Sequence, residues 1–221
     1  MANSKKFESL RRLVVVCFGL LSFSNPNAVS AIESACENFS DIDFDGRFSE
    51  ALGERLYQRG FYPEAMTAWQ CAILEEGDAG AAFRLGIEYL DAKVVERDPE
   101  RAIGYLYTSA FRGDGRAQFE LGTAHDDGEF AELDPEKAML WYFSASHQDD
   151  PGAEFNLAVI YESGVVVSAD IVLAYAYYYL ADMHGFPVLA RESMERLAVG
   201  LSDDQLSLAI RTAQNIKEFR R

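Results

Sequence analysis

Three histidines, three cysteines and 36 acidic residues are the groups in this 221-residue chain that could do acid–base, nucleophilic or metal chemistry. Their spacing supports none of it. His125, His147 and His184 stand at no zinc-type interval from one another or from a cysteine. Asp126, Asp127 and Glu129 beside His125 lack the alternating oxygen-ligand spacing of a calcium loop and read as a solvated turn. The glycines are dispersed, not gathered into a phosphate-cradling loop. Tyr175, Tyr177, Tyr178 and Tyr179 could form an aromatic platform, but core packing is the better account of tyrosines crowded into one helix. No catalytic, cofactor-binding or metal-binding residue is therefore assigned and no cofactor is expected. The chain reads as a binding protein, not an enzyme.

A repeat positions these residues. The segments AAFRLGIEYL from Ala81, AQFELGTAHD from Ala117 and AEFNLAVIYE from Ala153 start 36 residues apart. The register continues through Asp98, Asp134 and Asp170, through Ala102, Ala138 and Ala174, and through Tyr105, Trp141 and Tyr177. Gly113 and Gly185 flank Asp149 at the same interval, and Trp69 and Gly77 extend the pattern upstream. In each first helix an apolar stripe such as Phe83, Leu85 and Tyr89 recurs at about one turn. Gly86 and Gly122 sit mid-helix, where glycine costs about 1 kcal/mol relative to alanine, which makes sense if another helix crosses too closely for a side chain. Ala158 fits the same explanation. Gly128 and Gly164 end their helices as left-handed caps; Ala92 stands in the same column, so the first of these turns is expected to differ. Asp98-Pro99-Glu100 and Asp134-Pro135-Glu136 supply an N-cap acceptor, a proline at the first helical position and an acid at the positive dipole end. Tyr105, Trp141 and Tyr177 are expected to fill the space between neighbouring repeats. His125 stands in the tyrosine column and reads as a polar replacement on the packing face. One helix pair of this size cannot bury its own apolar face, so the pairs must stack.

The pattern A-x-x-x-L-G-x-x-Y-x-x-G, a loop ending in aspartate, then A-x-x-W/Y-aromatic and a closing glycine, resembles the Sel-1-like repeat of the tetratricopeptide superfamily. The resemblance covers Ala81 to Pro187 and extends more weakly upstream, where residues 52–77 have the shorter connection of an ordinary tetratricopeptide unit. It implies an all-α fold, a right-handed α-solenoid of antiparallel helix pairs with C-terminal capping helices. In such arrays the first helix of each pair lines the inner face, which would place Ile87, Leu90, Thr123, Asp126, Val159 and Glu162 towards a groove. That mixed apolar and acidic lining suits a protein or peptide partner with basic residues. Family members in the periplasm serve as adaptors, restraining membrane sensor kinases or scaffolding envelope and exopolysaccharide-export machinery. Other exported members are associated with binding or hydrolysing β-lactams, but they carry a cysteine pair in every repeat and the three clear repeats here carry none. A cell-wall or β-lactam hydrolase and a self-assembling structural component remain the alternatives to an adaptor.

The ends complete the organisation. Lys5, Lys6, Arg11 and Arg12 precede an apolar run from Leu13 to Phe23 and the small residues Ala28-Val29-Ser30-Ala31, the order of a secretory signal with cleavage expected after Ala31. The predicted order is a signal peptide (1–31), an acidic, loosely ordered segment (32–47), a tetratricopeptide-like helix pair (48–78), three repeats (79–114, 115–150, 151–186) and capping helices (187–221). Ser202-Asp203-Asp204-Gln205 reads as a capping box opening the last helix. The net charge is −16, or −19 without the leader, which repels nucleic-acid phosphates and anionic lipid. No nucleic acid and no stable membrane insertion are expected, and the location is periplasmic or secreted. Cleavage leaves Cys36 and Cys71, an even pair that an oxidising compartment bridges more often than not; two buried thiols are the alternative.

Overall fold

The computed structural model describes residues 26–39 and 47–220; most of the expected leader lies outside them. Every regular element among the described residues is helical. The helices are α1 (Pro26–Glu37), α2 (Glu50–Gln58), α3 (Tyr62–Cys71), α4 (Ala79–Asp91), α5 (Pro99–Phe111), α6 (Gly115–Asp127), α7 (Pro135–Ser146), α8 (Pro151–Ser163), α9 (Ile171–His184), α10 (Pro187–Ala198) and α11 (Asp203–Phe219). Contacts divide the chain between Asp114 and Gly115 into two compact units. In the first, α2 packs on α3 and α4 on α5; in the second, α6 packs on α7, α8 on α9, and α9 also on α10 and α11.

Caps set where the helices begin. Asp98, Asp134 and Asp170 accept hydrogen bonds from the backbone N–H of Arg101, Lys137 and Leu173 at 2.9–3.0 Å. Asp78 and Asp150 do the same for α4 and α8, accepting from Ala81 and Ala153. Each aspartate satisfies one donor that the helix start leaves open. Ser202 and Gln205 form the reciprocal capping box of α11.

Within each pair the second helix presses into a notch on the first. A Cβ built on Gly122 would lie 2.6 Å from the ring of Tyr142, and one on Gly86 would lie 2.9 Å from Leu106 and 3.3 Å from the Ala102 carbonyl. Leu106, Tyr142 and Tyr178 are accordingly buried to within 1%. The aromatic column one residue earlier does the job expected of it and one more. Tyr105 stacks on Tyr89 and Tyr177 on Tyr161, at 5.9 and 5.7 Å and nearly parallel, and Tyr177 also meets Phe143 of the preceding repeat edge-on at 6.2 Å, so its ring packs both inside the pair and between repeats. Trp141, in the same column, is only half-buried.

Two expectations are corrected. The turn after α4 is not built differently: Ala92 takes φ 55° and donates its N–H to the Glu88 carbonyl, the same left-handed cap that Gly164 makes at φ 68° after α8. Residues 32–37 are not loose either; they continue α1 to Glu37. The physical reason is the Cys36–Cys71 disulfide, which ties α1 to α3 so that Cys36 is buried against the first unit's core. Residues 40–46 lie outside the described residues.

An L-residue in the left-handed region is disfavoured by about 1–2 kcal/mol. Ala92→Gly should therefore raise the unfolding free energy by about 1 kcal/mol, and Gly164→Ala, whose new methyl would also meet Ala169 at 3.0 Å, should lower it by at least as much. Urea titration of both variants checks this. Replacing both Cys36 and Cys71 by serine should cost up to about 4 kcal/mol, given the 35-residue separation they bridge, measured the same way under non-reducing conditions.

Candidate functional site

The register positions assigned to a groove fall on the first helices of the pairs. Ile87 and Leu90 lie on α4 in the first unit; both are half-buried, and Leu90 packs against the core. Thr123, Asp126, Val159 and Glu162 lie on α6 and α8 in the second unit. Val159 is 41% exposed, and the Thr123 hydroxyl donates back to the Phe119 carbonyl at 3.3 Å. Each acid receives a tyrosine hydroxyl from the notch-filling column: Tyr142 donates to Asp126 at 3.3 Å and Tyr178 to Glu162 at 2.8 Å. Burial raises both phenols, Tyr178 to about 12, so they stay protonated donors at any physiological pH.

The two acids then differ. Arg196 on α10 grips Glu162 through both terminal nitrogens, Nη2 to Oε2 at 3.0 Å and a closer Nη1 contact with Oε1. This ion pair holds the Glu162 carboxyl below the ordinary carboxylate range. Asp126 is exposed and accepts from the Tyr142 phenol. The capping helix thus covers part of the acidity expected at Glu162.

A second constellation in the same unit went unrecognised in the sequence. Glu154 on α8 is fully buried. Its Oε2 is hydrogen-bonded to His184 Nδ1 at 2.8 Å, and its Oε1 accepts from Arg220 Nη1 at 2.5 Å. Asp149 adds a carboxylate 3.4 Å from Arg220 and 3.9 Å from His184 Nε2. Burial pushes the Glu154 carboxyl upward while Arg220 and His184 pull it back. Asp149 holds φ 57° in the column where Gly113 and Gly185 stand, a conformation that aspartate tolerates better than most side chains. The signals were available singly. Glu154 shares a column with Ala82 and Gln118, and His184 with Gln148, whose Nε2 donates to Gln118 Oε1 at 2.9 Å. The same slot therefore holds a neutral amide pair in one repeat and a histidine–carboxylate pair in the next. Arg220, 66 residues from Glu154, has no counterpart in the register.

Donor atoms of Asp149, Glu154 and His184 lie within 4.8 Å of one another, close enough to hold a metal ion. The guanidinium of Arg220 already supplies the positive charge there and would repel a dication, so the cluster is suited to anchoring α11. His125 has its Nδ1 2.8 Å from the Glu132 carbonyl and is buried, a packing histidine in the tyrosine column. In the adjacent turn Asp127 accepts from the Glu129 backbone N–H at 2.8 Å. His147 caps its own helix end, with Nδ1 2.8 Å from the Phe143 carbonyl.

Residues 79–114, 115–150 and 151–185 match the Sel1 repeat family model. Among solved structures, a Sel1 repeat protein from Oxalobacter formigenes is 30% identical over 58% of this chain and 95% of its own, with a TM-score of 0.54. A protective antigen present in uropathogenic Escherichia coli strains, displaying an SLR fold, is 26% identical over 98% of this chain, with a TM-score of 0.66. This chain spans 46% of that antigen's length. No curated protein matches it.

Removing Arg220 would leave a buried carboxylate short of its cation, the situation that typically costs about 3–5 kcal/mol. Arg220→Ala should lower the unfolding free energy by about that amount, and adding Glu154→Gln should recover part of it, both by urea denaturation. A loss below about 1 kcal/mol, the range of a solvated pair, would contradict the buried anchor.

Proposed function

We propose that this chain, which belongs to the Sel1 repeat family, is an exported adaptor that holds a basic protein or peptide partner on the first-helix face of its repeats. Sel1 repeat folds generally serve as protein–protein interaction scaffolds, and the family is generally non-catalytic. The observation that carries the reading here is the set formed by Thr123, Asp126 and Val159. It combines an exposed carboxylate, an exposed aliphatic side chain and a hydroxyl on neighbouring first helices, α6 and α8, of one unit. Such a face offers an ion-pair acceptor beside apolar contact area, which is what an extended or helical peptide with basic residues uses. Ile87 and Leu90 hold the equivalent, more apolar positions on α4. A net charge of −16 steers a cationic partner from a distance.

Export is supported by the leader-like sequence together with the Cys36–Cys71 bridge, since disulfides persist in oxidising compartments. No helix among the described residues is long and apolar enough to cross a membrane. The system served is a membrane signalling pathway or an envelope or exopolysaccharide assembly, the settings in which an exported adaptor of this kind would act.

Site-specific photocrosslinking in the native envelope tests the face directly. A benzophenone amino acid at Thr123 or Val159 should capture one and the same protein, and at Leu140, exposed on the second helix α7, should not. Asp126→Lys should weaken binding of the captured protein at least about tenfold, measured by calorimetry. Equal capture from both faces, or unchanged affinity, sinks the reading.

A further inference from the structure

Asp126 and Glu162 stand 36 residues apart on the first helices of two successive repeats, and their tyrosines, Tyr142 and Tyr178, keep the same interval. In the later repeat the carboxylate is filled from within the chain. Arg196 on α10 sets both terminal nitrogens of its guanidinium on the two Glu162 oxygens, while the Tyr178 hydroxyl donates to Oε2 at 2.8 Å. The same guanidinium also interacts with the Tyr178 hydroxyl. A planar fork laid on a carboxylate is the charge-assisted, bidentate arrangement that arginine makes and the compact ammonium of lysine does not.

The earlier repeat has a carboxylate and a phenol in the same places but no cation. Tyr142 donates to Asp126 at 3.3 Å, and no lysine, arginine or histidine forms an ion pair with Asp126 among the described residues. The register gives the reason. α8 and α10 both open on a proline, Pro151 and Pro187, and counting back 36 residues from Arg196 reaches Ile160. Ile160 is 8% exposed and packs into the core of the second unit. With an aliphatic residue in the arginine's place, the Asp126 carboxylate is left exposed to solvent. Val159, exposed on the neighbouring first helix, adds apolar surface on which the methylene stem of an arginine can lie while its head stays charged.

We infer that Asp126 and the Tyr142 hydroxyl receive an arginine side chain of the partner protein, with Arg196 on Glu162 as the built-in template of the bound state. The inference rests on the first-helix face being the binding surface, and it narrows the partner's basic residue to arginine. An isolated surface ion pair is weak, so preference for arginine over lysine, more than tight affinity, is the signature of such a site.

The test uses the whole protein, ¹³C-labelled, at low ionic strength, where surface ion pairs are least screened. The probes are the N-acetylated tripeptide amide of leucine, arginine and leucine and its counterpart with lysine at the centre. NMR follows the side-chain carboxyl resonances of Asp126 and Glu162 and the Val159 methyls. The arginine peptide should shift Asp126 saturably, bind at least about threefold more tightly than the lysine peptide, and leave Glu162 unmoved. Asp126→Asn should abolish the Val159 shifts. Arg196→Ala, at a side chain 57% exposed, should open Glu162 as a second site with the same preference. No saturable shift at Asp126, equal affinity for the two peptides, Val159 shifts that survive Asp126→Asn, or a silent Glu162 in folded Arg196→Ala each overturn the inference. If crosslinking from Thr123 and Val159 still captures a common partner, those results remove the arginine and leave the binding face standing.

Discussion

The close seam between the two helices of a repeat is the constraint on which the rest of this structure depends. Gly122 lets the ring of Tyr142 sit where a Cβ would be, and Gly86 admits Leu106 in the same way. Gly53 leaves room for the indole of Trp69 in the shorter upstream pair. A helix pair closed this tightly has little freedom to slide, so the outward faces of its two helices come at fixed angles. Those faces remain apolar on one side and must be covered by further helices. The same seam also sets the chemistry of the first-helix face in the second unit. The residues that fill the notch in the second unit are tyrosines, and their rings are long enough for the hydroxyls to emerge at Asp126 and Glu162. Packing thus leaves Glu162 restrained by Arg196 and Asp126 exposed.

A second theme is the use made of one buried slot. Where Gln118 meets Gln148, two neutral amides satisfy each other at little electrostatic cost. One repeat later the slot holds Glu154 and His184, and the charge is balanced by Arg220 from the last turn of α11. A buried ion pair is weak evidence for added stability, because desolvation opposes the Coulomb gain. Its geometric demand is strong, however: α11 can satisfy Glu154 from one docked position. The helix that closes the second unit is placed by a specific polar contact as well as by apolar area. A less buried counterpart links α10 to α8 through Arg196 and Glu162.

Much of this was legible in the sequence. The 36-residue period, the aspartate caps, the mid-helix glycines, the closing capping box and the packing role of His125 follow from interactions within one or two turns. Such contacts leave a spacing in the chain, because the residues that make them keep a constant separation. Less was legible where a side chain's direction or a turn's tertiary context matters. Tyr105 and Tyr177 share a column that points to packing between repeats, which Tyr177 makes with Phe143, but their stacking inside a pair on Tyr89 and Tyr161 appears only in the structure. Ala92 was read as a departure from the glycine cap, although tertiary context holds it in the left-handed conformation regardless.

What the sequence determined by itself was the local grammar: helices, caps, notches, family and the faces that must be covered. What only the tertiary structure decided was the partnership of residues far apart, Cys36 with Cys71, Glu162 with Arg196, and Glu154 with His184 and Arg220. Separations of 34 and 66 residues in the cap contacts match no period, so nothing in the repeat points from one partner to the other. The strength of a charged group's interactions depends on burial and on the few ångströms around it. Those distances exist only once the helices have packed.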